Sequence, residues 1–184
     1  SALSSVPAAQ FLLPVVSEPG GDLFARVTRG ILSRLNPSGS AVWSRSDFEM
    51  WQAGELGSAD APTRLAVISG RGEILFILNK LNGGTLALIP SGESASWVSA
   101  GWIGDDTLVA VRAIFADQGT VSVLTVLREK EGVWQPVAQW RAGPGPGTAI
   151  PAFRAIRTGR GDRVYAVVRE AGEIATCALV PPSG

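Results

Sequence analysis

Histidine is absent from this 184-residue chain, so any chemistry must come from its carboxylates, arginines, hydroxyls and tryptophans. Without imidazole there is no ordinary general base, no usual partner for a serine or cysteine nucleophile, and no share in the commonest zinc ligand sets. Asp105-Asp106 is the one adjacent acidic pair. Two carboxylates could help to hold calcium, but the ladder of oxygen ligands at loop spacing is missing, and the pair reads as a solvated turn. Gly70-Arg71-Gly72 and Gly159-Arg160-Gly161 offer Gly-x-Gly, yet each runs into an acid and then a strand. A phosphate cradle needs a helix N-terminus there. Gly143-Pro144-Gly145-Pro146-Gly147 places prolines where backbone donors would be required. Gly92-Glu93-Ser94-Ala95-Ser96 misses the nucleophile-elbow pattern at its last position. Ser1 has no supporting residues for a terminal nucleophile, and Cys177, in an apolar run, reads as an inert thiol. Arg160-Gly161-Asp162 spells a tripeptide read by adhesion receptors, but the turn recurs as Arg71-Gly72-Glu73 and is better explained as hairpin geometry. No catalytic, cofactor-binding or metal-ligating residue is assigned.

The six tryptophans are the most suggestive side chains. Exposed rings make a platform for sugars or peptides, because they supply a large contact area with a polar handle. Buried rings fill gaps between sheets. Trp43, Trp97, Trp134 and Trp140 are expected in the core, whereas turn residues adjoin Trp51 and Trp102, which makes these two the candidate partner-binding residues.

Positioning falls to β-strands. Residues 96–142 parse as four strands: Trp97 to Ile103, Thr107 to Ile114, Thr120 to Arg128 and Val133 to Trp140. They are rich in β-branched residues and separated by Asp/Gly and charged turns, which is the hairpin signal. Four such strands in about 45 residues match one blade of a β-propeller. A Gly-acid-apolar unit recurs: Gly104 to Arg112 matches Gly161 to Arg169 position for position, Gly72 to Lys80 fits the frame, and Gly21 to Arg29 fits it loosely. The Gly and acid suit a tight turn, the apolar run a strand buried on both faces, and the closing Arg or Lys its emergence into water. Two of these hairpins end in Pro-Ser-Gly. Gly21, Gly72, Gly104 and Gly161 are therefore expected to head equivalent hairpins in successive sheets.

Residues 1–10 read as a flexible lead-in, Phe11 to Val16 as an edge strand that tolerates Pro14, and Leu23 to Leu35 as two strands broken at Gly30 or a short helix. Phe48 to Trp51 begins a further strand. Residues 141–151 read as a loop unable to form helix or sheet, and residues 11–184 as a single β-rich repeat domain. The 16 acidic and 16 basic residues cancel, so no bulk attraction to nucleic acid or anionic lipid is indicated. No apolar run reaches the roughly 18 residues that a membrane span needs, and no targeting peptide is visible, Phe11 to Val16 being too short and carrying Pro14. One cysteine permits no internal disulfide.

Trp97 and Trp102 ahead of Gly104-Asp105-Asp106-Thr107-Leu108 resemble the W-S-x-D-G-x-x-L hairpin of Tol-type and related propellers. Pro37-Ser38-Gly39-Ser40 followed by Phe48-Glu49-Met50-Trp51 is similar to the first blades of acylaminoacyl-peptidase propellers. The fold class expected is all-β, with antiparallel four-stranded blades in a partial or small β-propeller; a β-sandwich is the alternative. The function expected is a non-catalytic protein-interaction or scaffold domain, a soluble module in which a partner chain completes the ring. Two alternatives stand beside it: a propeller segment of a serine peptidase or other hydrolase, and a carbohydrate-binding β-sandwich using exposed tryptophan. The partner is thus a protein or, in the last case, a carbohydrate; no cofactor is expected.

Overall fold

The computed structural model describes residues 12–17, 20–28, 31–47, 61, 63–145, 147–159, 161–170 and 172–179. These form fourteen strands in four antiparallel sheets, taken in chain order. Sheet I comprises β1 (Leu12–Ser17), β2 (Leu23–Thr28), β3 (Ile31–Leu35) and β4 (Ala41–Arg45). Sheet II holds β5 (Arg64–Ile68), β6 (Ile74–Asn79) and β7 (Thr85–Pro90). Sheet III holds β8 (Ala95–Trp102), β9 (Thr107–Ala116), β10 (Gly119–Lys130) and β11 (Val133–Gly145), and sheet IV holds β12 (Ala149–Thr158), β13 (Gly161–Glu170) and β14 (Glu173–Leu179). Each strand pairs with its chain neighbour, as expected of hairpins joined by glycine turns. β1 lies at a sheet edge, where a proline without N–H is tolerated. No helix occurs among the described residues, which decides Leu23 to Leu35 in favour of two strands.

The sheets stack face to face through three apolar clusters. Phe24, Leu32, Leu65 and Leu78 join sheets I and II. Ile68, Ile77, Trp97, Trp102 and Leu108 join II and III. Val109, Val111, Ile150, Val164 and Ala166 join III and IV. Strand alternation explains why one strand serves two neighbours: Leu108 and Ala110 of β9 point to sheet II, Val109 and Val111 to sheet IV. This successive stacking excludes the β-sandwich alternative, in which two sheets share one core.

The expected glycine repeat holds for the turn and needs two corrections beyond it. Gly21, Gly72, Gly104 and Gly161 all adopt positive φ, at 85°, 73°, 67° and 101°, each just before or at the start of a strand. Gly72, however, lies at the opposite rim from the other three. Arg157 at the end of β12 donates to Ile103 O beyond the end of β8, so these first strands run the same way. By contrast, Thr63 before β5 bonds Asp105 beyond the end of β8, and Trp97 N near the start of β8 donates to Gly72 O beyond the end of β5. β5 therefore runs against β8. Sheet II is offset by one strand, with β5, β6 and β7 directed like the second, third and fourth strands of sheet III.

The second correction concerns register. Gly104 to Arg112 and Gly161 to Arg169 align by sequence, which pairs Val109 with Ala166. Yet Val109 points from sheet III toward IV, whereas Ala166 points from sheet IV back toward III. A one-residue slip reverses every side chain in a strand. Here the offset is odd because β13 begins at its glycine, whereas β9 begins three residues after Gly104. The face that Val109 and Val111 occupy on sheet III is thus taken on sheet IV by Arg163, Tyr165 and Val167, which alternate with Val164 and Ala166.

Two further expectations are overturned. Lys80 does not emerge into water at the end of β6: it is buried, its ammonium donating to Ala61 O and lying 5.8 Å from the Phe24 ring centre. The sheet I junction covers it, and a carbonyl and an aromatic face compensate the charge. Residues 141–145 do not break the sheet either, since β11 runs to Gly145 and pairs it with Thr120. β11 is an edge strand, so Pro144 forfeits no ladder bond, and Gly143 supplies φ 94°.

Candidate functional site

The candidate tryptophans part company. Trp102 is 1% exposed, stacked edge-on to Trp134 at 5.6 Å between sheets II and III. Its expected exposure is corrected, because β8 carries it into the inter-sheet cluster despite the following turn. Its indole N–H is buried with no hydrogen-bond partner. Trp51 lies outside the described residues, as do Phe48 to Met50 and the lead-in at residues 1–10. Trp97 donates from Nε1 to Ile89 O at 2.9 Å, Trp43 to Lys80 O at 2.9 Å, and Trp140 packs between sheets III and IV. The five described tryptophans are therefore inter-sheet packing groups.

Asp105-Asp106 forms a tie between sheets. Asp105 accepts from Thr63 N and Oγ1 at 3.1 and 2.7 Å, anchoring the start of β5. Asp106 accepts from Arg157 at 3.1 Å, and Arg157 also donates to Asp162 at 3.0 Å. Burial pushes the Asp106 carboxyl up, but the Arg157 hydrogen bond and charge, with the Thr107 hydroxyl, outweigh it and hold the group below the usual carboxylate range. Hydrogen bonds donated to Asp162 and then to Asp106 raise the Arg157 guanidinium in turn. In sheet I, Asp22 beside Gly21 pairs with Arg34 at 2.6 Å. Three acids of the repeated turns, Asp22, Asp105 and Asp162, are thus engaged as ion-pair and hydrogen-bond acceptors, a role not visible from the Gly-acid motif alone. Among the described residues no group of three potential metal ligands converges.

Two surfaces remain open to a partner. One is a groove of about 650 Å³ at the rim of Gly72, lined by Arg71, Glu73, Pro90, Glu93, Ser94 and Phe115. Phe115 stands 57% exposed in it. The other is the face of sheet IV turned away from sheet III, where Tyr165 is 42% and Ile174 71% exposed. Both were missed in the sequence, since Phe115 and Tyr165 sit in runs that otherwise read as core strand. No helix among the described residues is long and apolar enough to cross a membrane.

No protein-family model matches the sequence, and no curated protein matches it significantly. Solved structures do match the fold. The β-propeller domain of Nup133 from Vanderwaltozyma polyspora superposes with a TM-score of 0.61 at 8% identity, over 97% of this chain and 60% of that domain. The complex of fission yeast SREBP–SCAP binding domains gives a TM-score of 0.51 at 13% identity, over 96% of this chain and 50% of that one. The chain therefore spans little more than half the length of these matches. Four antiparallel sheets stacked in chain order, together with these likenesses, show that the chain has the β-propeller fold.

Proposed function

We propose that this chain is a non-catalytic interaction scaffold, an arc of propeller blades that presents loops and an open blade face to a protein partner within a larger assembly. The observation that carries the reading is the exposed aromatic side chains at a rim groove and on the last sheet, Phe115 and Tyr165. Isolated exposed apolar residues need no explanation, but clustered ones in grooves and on sheet faces mark contact sites. The fission yeast match is a structure of binding domains in complex, which agrees with such a role.

The test is in-cell photo-crosslinking from positions 115 and 165 of the whole protein, with a solvent-facing control at position 131. A scaffold yields a discrete protein adduct from at least one of the two positions and none from the control. Failure of both positions, with the protein intact and folded, refutes the reading.

A further inference from the structure

From the open face of sheet IV we infer that a β-sheet of a separate protein docks there, apolar at its centre and bearing carboxylates around it; this rests on the scaffold reading above. Three observations lead to it. First, Tyr165 and Val167 lie on the face of β13 that corresponds to the face of β9 bearing Val109 and Val111, and those two valines are covered by sheet IV. A face built to the same plan takes the same kind of cover, another sheet packed about 10 Å away.

Second, the face is basic. Arg154 stands opposite Tyr165, and Arg163 and Arg169 flank it on the same side of β13, with Ile174 paired to Arg169. Arg163 donates to Asp162 O and Arg169 to Gly147 O, both backbone carbonyls. None of the three arginines is ion-paired to a carboxylate among the described residues. Asp162 and Glu170 lie on the opposite side of β13, where they bond Arg157 and Gly143 N. Covering three guanidinium groups without carboxylates would strand their charge in a desolvated interface, so the cover must supply acids.

Third, a second copy of this chain does not fit. Face-to-face pairing of two sheets IV would oppose arginine to arginine, a repulsive arrangement. Head-to-tail pairing would set the arginines against the far face of sheet I, where the described Ser33, Leu35 and Ser44 supply no carboxylate. A partner with its own acidic sheet face meets both the packing and the charge.

The experiment maps the adduct formed in cells by a benzophenone side chain at position 165, beside the same protein carrying Arg154→Glu with Arg163→Glu. The expected adduct lies on another polypeptide, in a strand segment where Asp or Glu flank apolar residues, and its yield falls at least tenfold on charge reversal. An adduct on this protein itself, a mapped segment without carboxylates, a yield unchanged by charge reversal, or no adduct above the position 131 control each overturns the inference. An adduct from position 115 alone overturns it while leaving the scaffold reading standing. Circular dichroism and tryptophan emission of the double variant, both expected to match the parent, confirm that the charge reversal has left the fold in place.

Discussion

Arg157, at the end of β12, lies 3.1 Å from Asp106 in the turn between β8 and β9, so that one guanidinium laces sheet IV to sheet III. It also bonds Asp162 in the corresponding turn of its own sheet and the carbonyl of Ile103. The core between these two sheets is apolar, and this rim contact joins the Glu170–Gly143 N hydrogen bond as a polar tie between them.

Arg157→Met should lower unfolding free energy by about 1 kcal/mol, the scale of an exposed ion pair with added hydrogen bonds. The pH dependence has a definite sign. Asp106 has a folded pKa below its unfolded value of 3.8, so its contribution is fully present above that value. It is lost as pH falls through the folded pKa, because the unfolded state then binds the proton first. Urea unfolding of Asp106→Asn and the parent should therefore differ at pH 6, and the gap should narrow as the pH falls below 3.8. A gap that widens on acidification would contradict the assignment.

Gly72→Ala and Gly132→Ala separate backbone strain from steric exclusion. Both glycines have positive φ, 73° and 80°. A Cβ on Gly132 meets nothing within 4 Å, whereas one on Gly72 would lie 2.5 Å from Trp97 O. Gly132→Ala should cost about 1 kcal/mol, the lower end for a left-handed non-glycine residue, and Gly72→Ala about 3 kcal/mol or more. Chemical denaturation of the two variants gives the comparison, and equal costs would show that the β5–β6 turn does not press on β8.

The strands of sheet III were legible because their apolar runs and Asp/Gly turns are local signals, and the structure reproduces all four, with β11 running five residues beyond its expected end. What lay beyond the sequence depends on direction and register. Gly72 carries the same turn chemistry as Gly104, and nothing in its neighbours states that β5 runs against β8. Likewise, Val109 and Ala166 align in sequence yet face opposite ways, because where a strand begins relative to its glycine is set by pairing with the previous strand. Trp102 shows the limit of using a nearby turn as a sign of exposure: the turn starts after the residue, and the strand before it is still inside the stack.

Trp97 and Trp102 make a matched pair for measuring a buried indole hydrogen bond. Both rings are enclosed between sheets II and III, but Trp97 Nε1 donates to Ile89 O at 2.9 Å and Trp102 Nε1 has no partner. Replacing either with Phe removes comparable ring volume. Trp97→Phe also strands the Ile89 carbonyl, an added penalty of about 1–3 kcal/mol, whereas Trp102→Phe deletes an unsatisfied donor. Trp97→Phe should be the more destabilising by thermal and urea unfolding. The reverse order would mean that the Trp102 N–H is satisfied in solution, as by a buried water.

The covered and open faces of equivalent strands give the last expectation. Val109 and Tyr165 lie on corresponding faces of β9 and β13, but Val109 is fully buried and Tyr165 is not. An aspartate at position 109 would be an unpaired charge in the cluster between III and IV, and Val109→Asp should cost several kcal/mol or prevent folding. Tyr165→Asp should change the stability of the purified chain by no more than about 0.5 kcal/mol, as at other surface positions. The contrast is expected to vanish in the assembled protein. There Tyr165→Asp should weaken the complex while leaving the isolated chain intact, so that the partner raises the urea midpoint of the parent and no longer raises that of the variant. Loss of folding in isolated Tyr165→Asp would instead mean that this face is already in use within the chain.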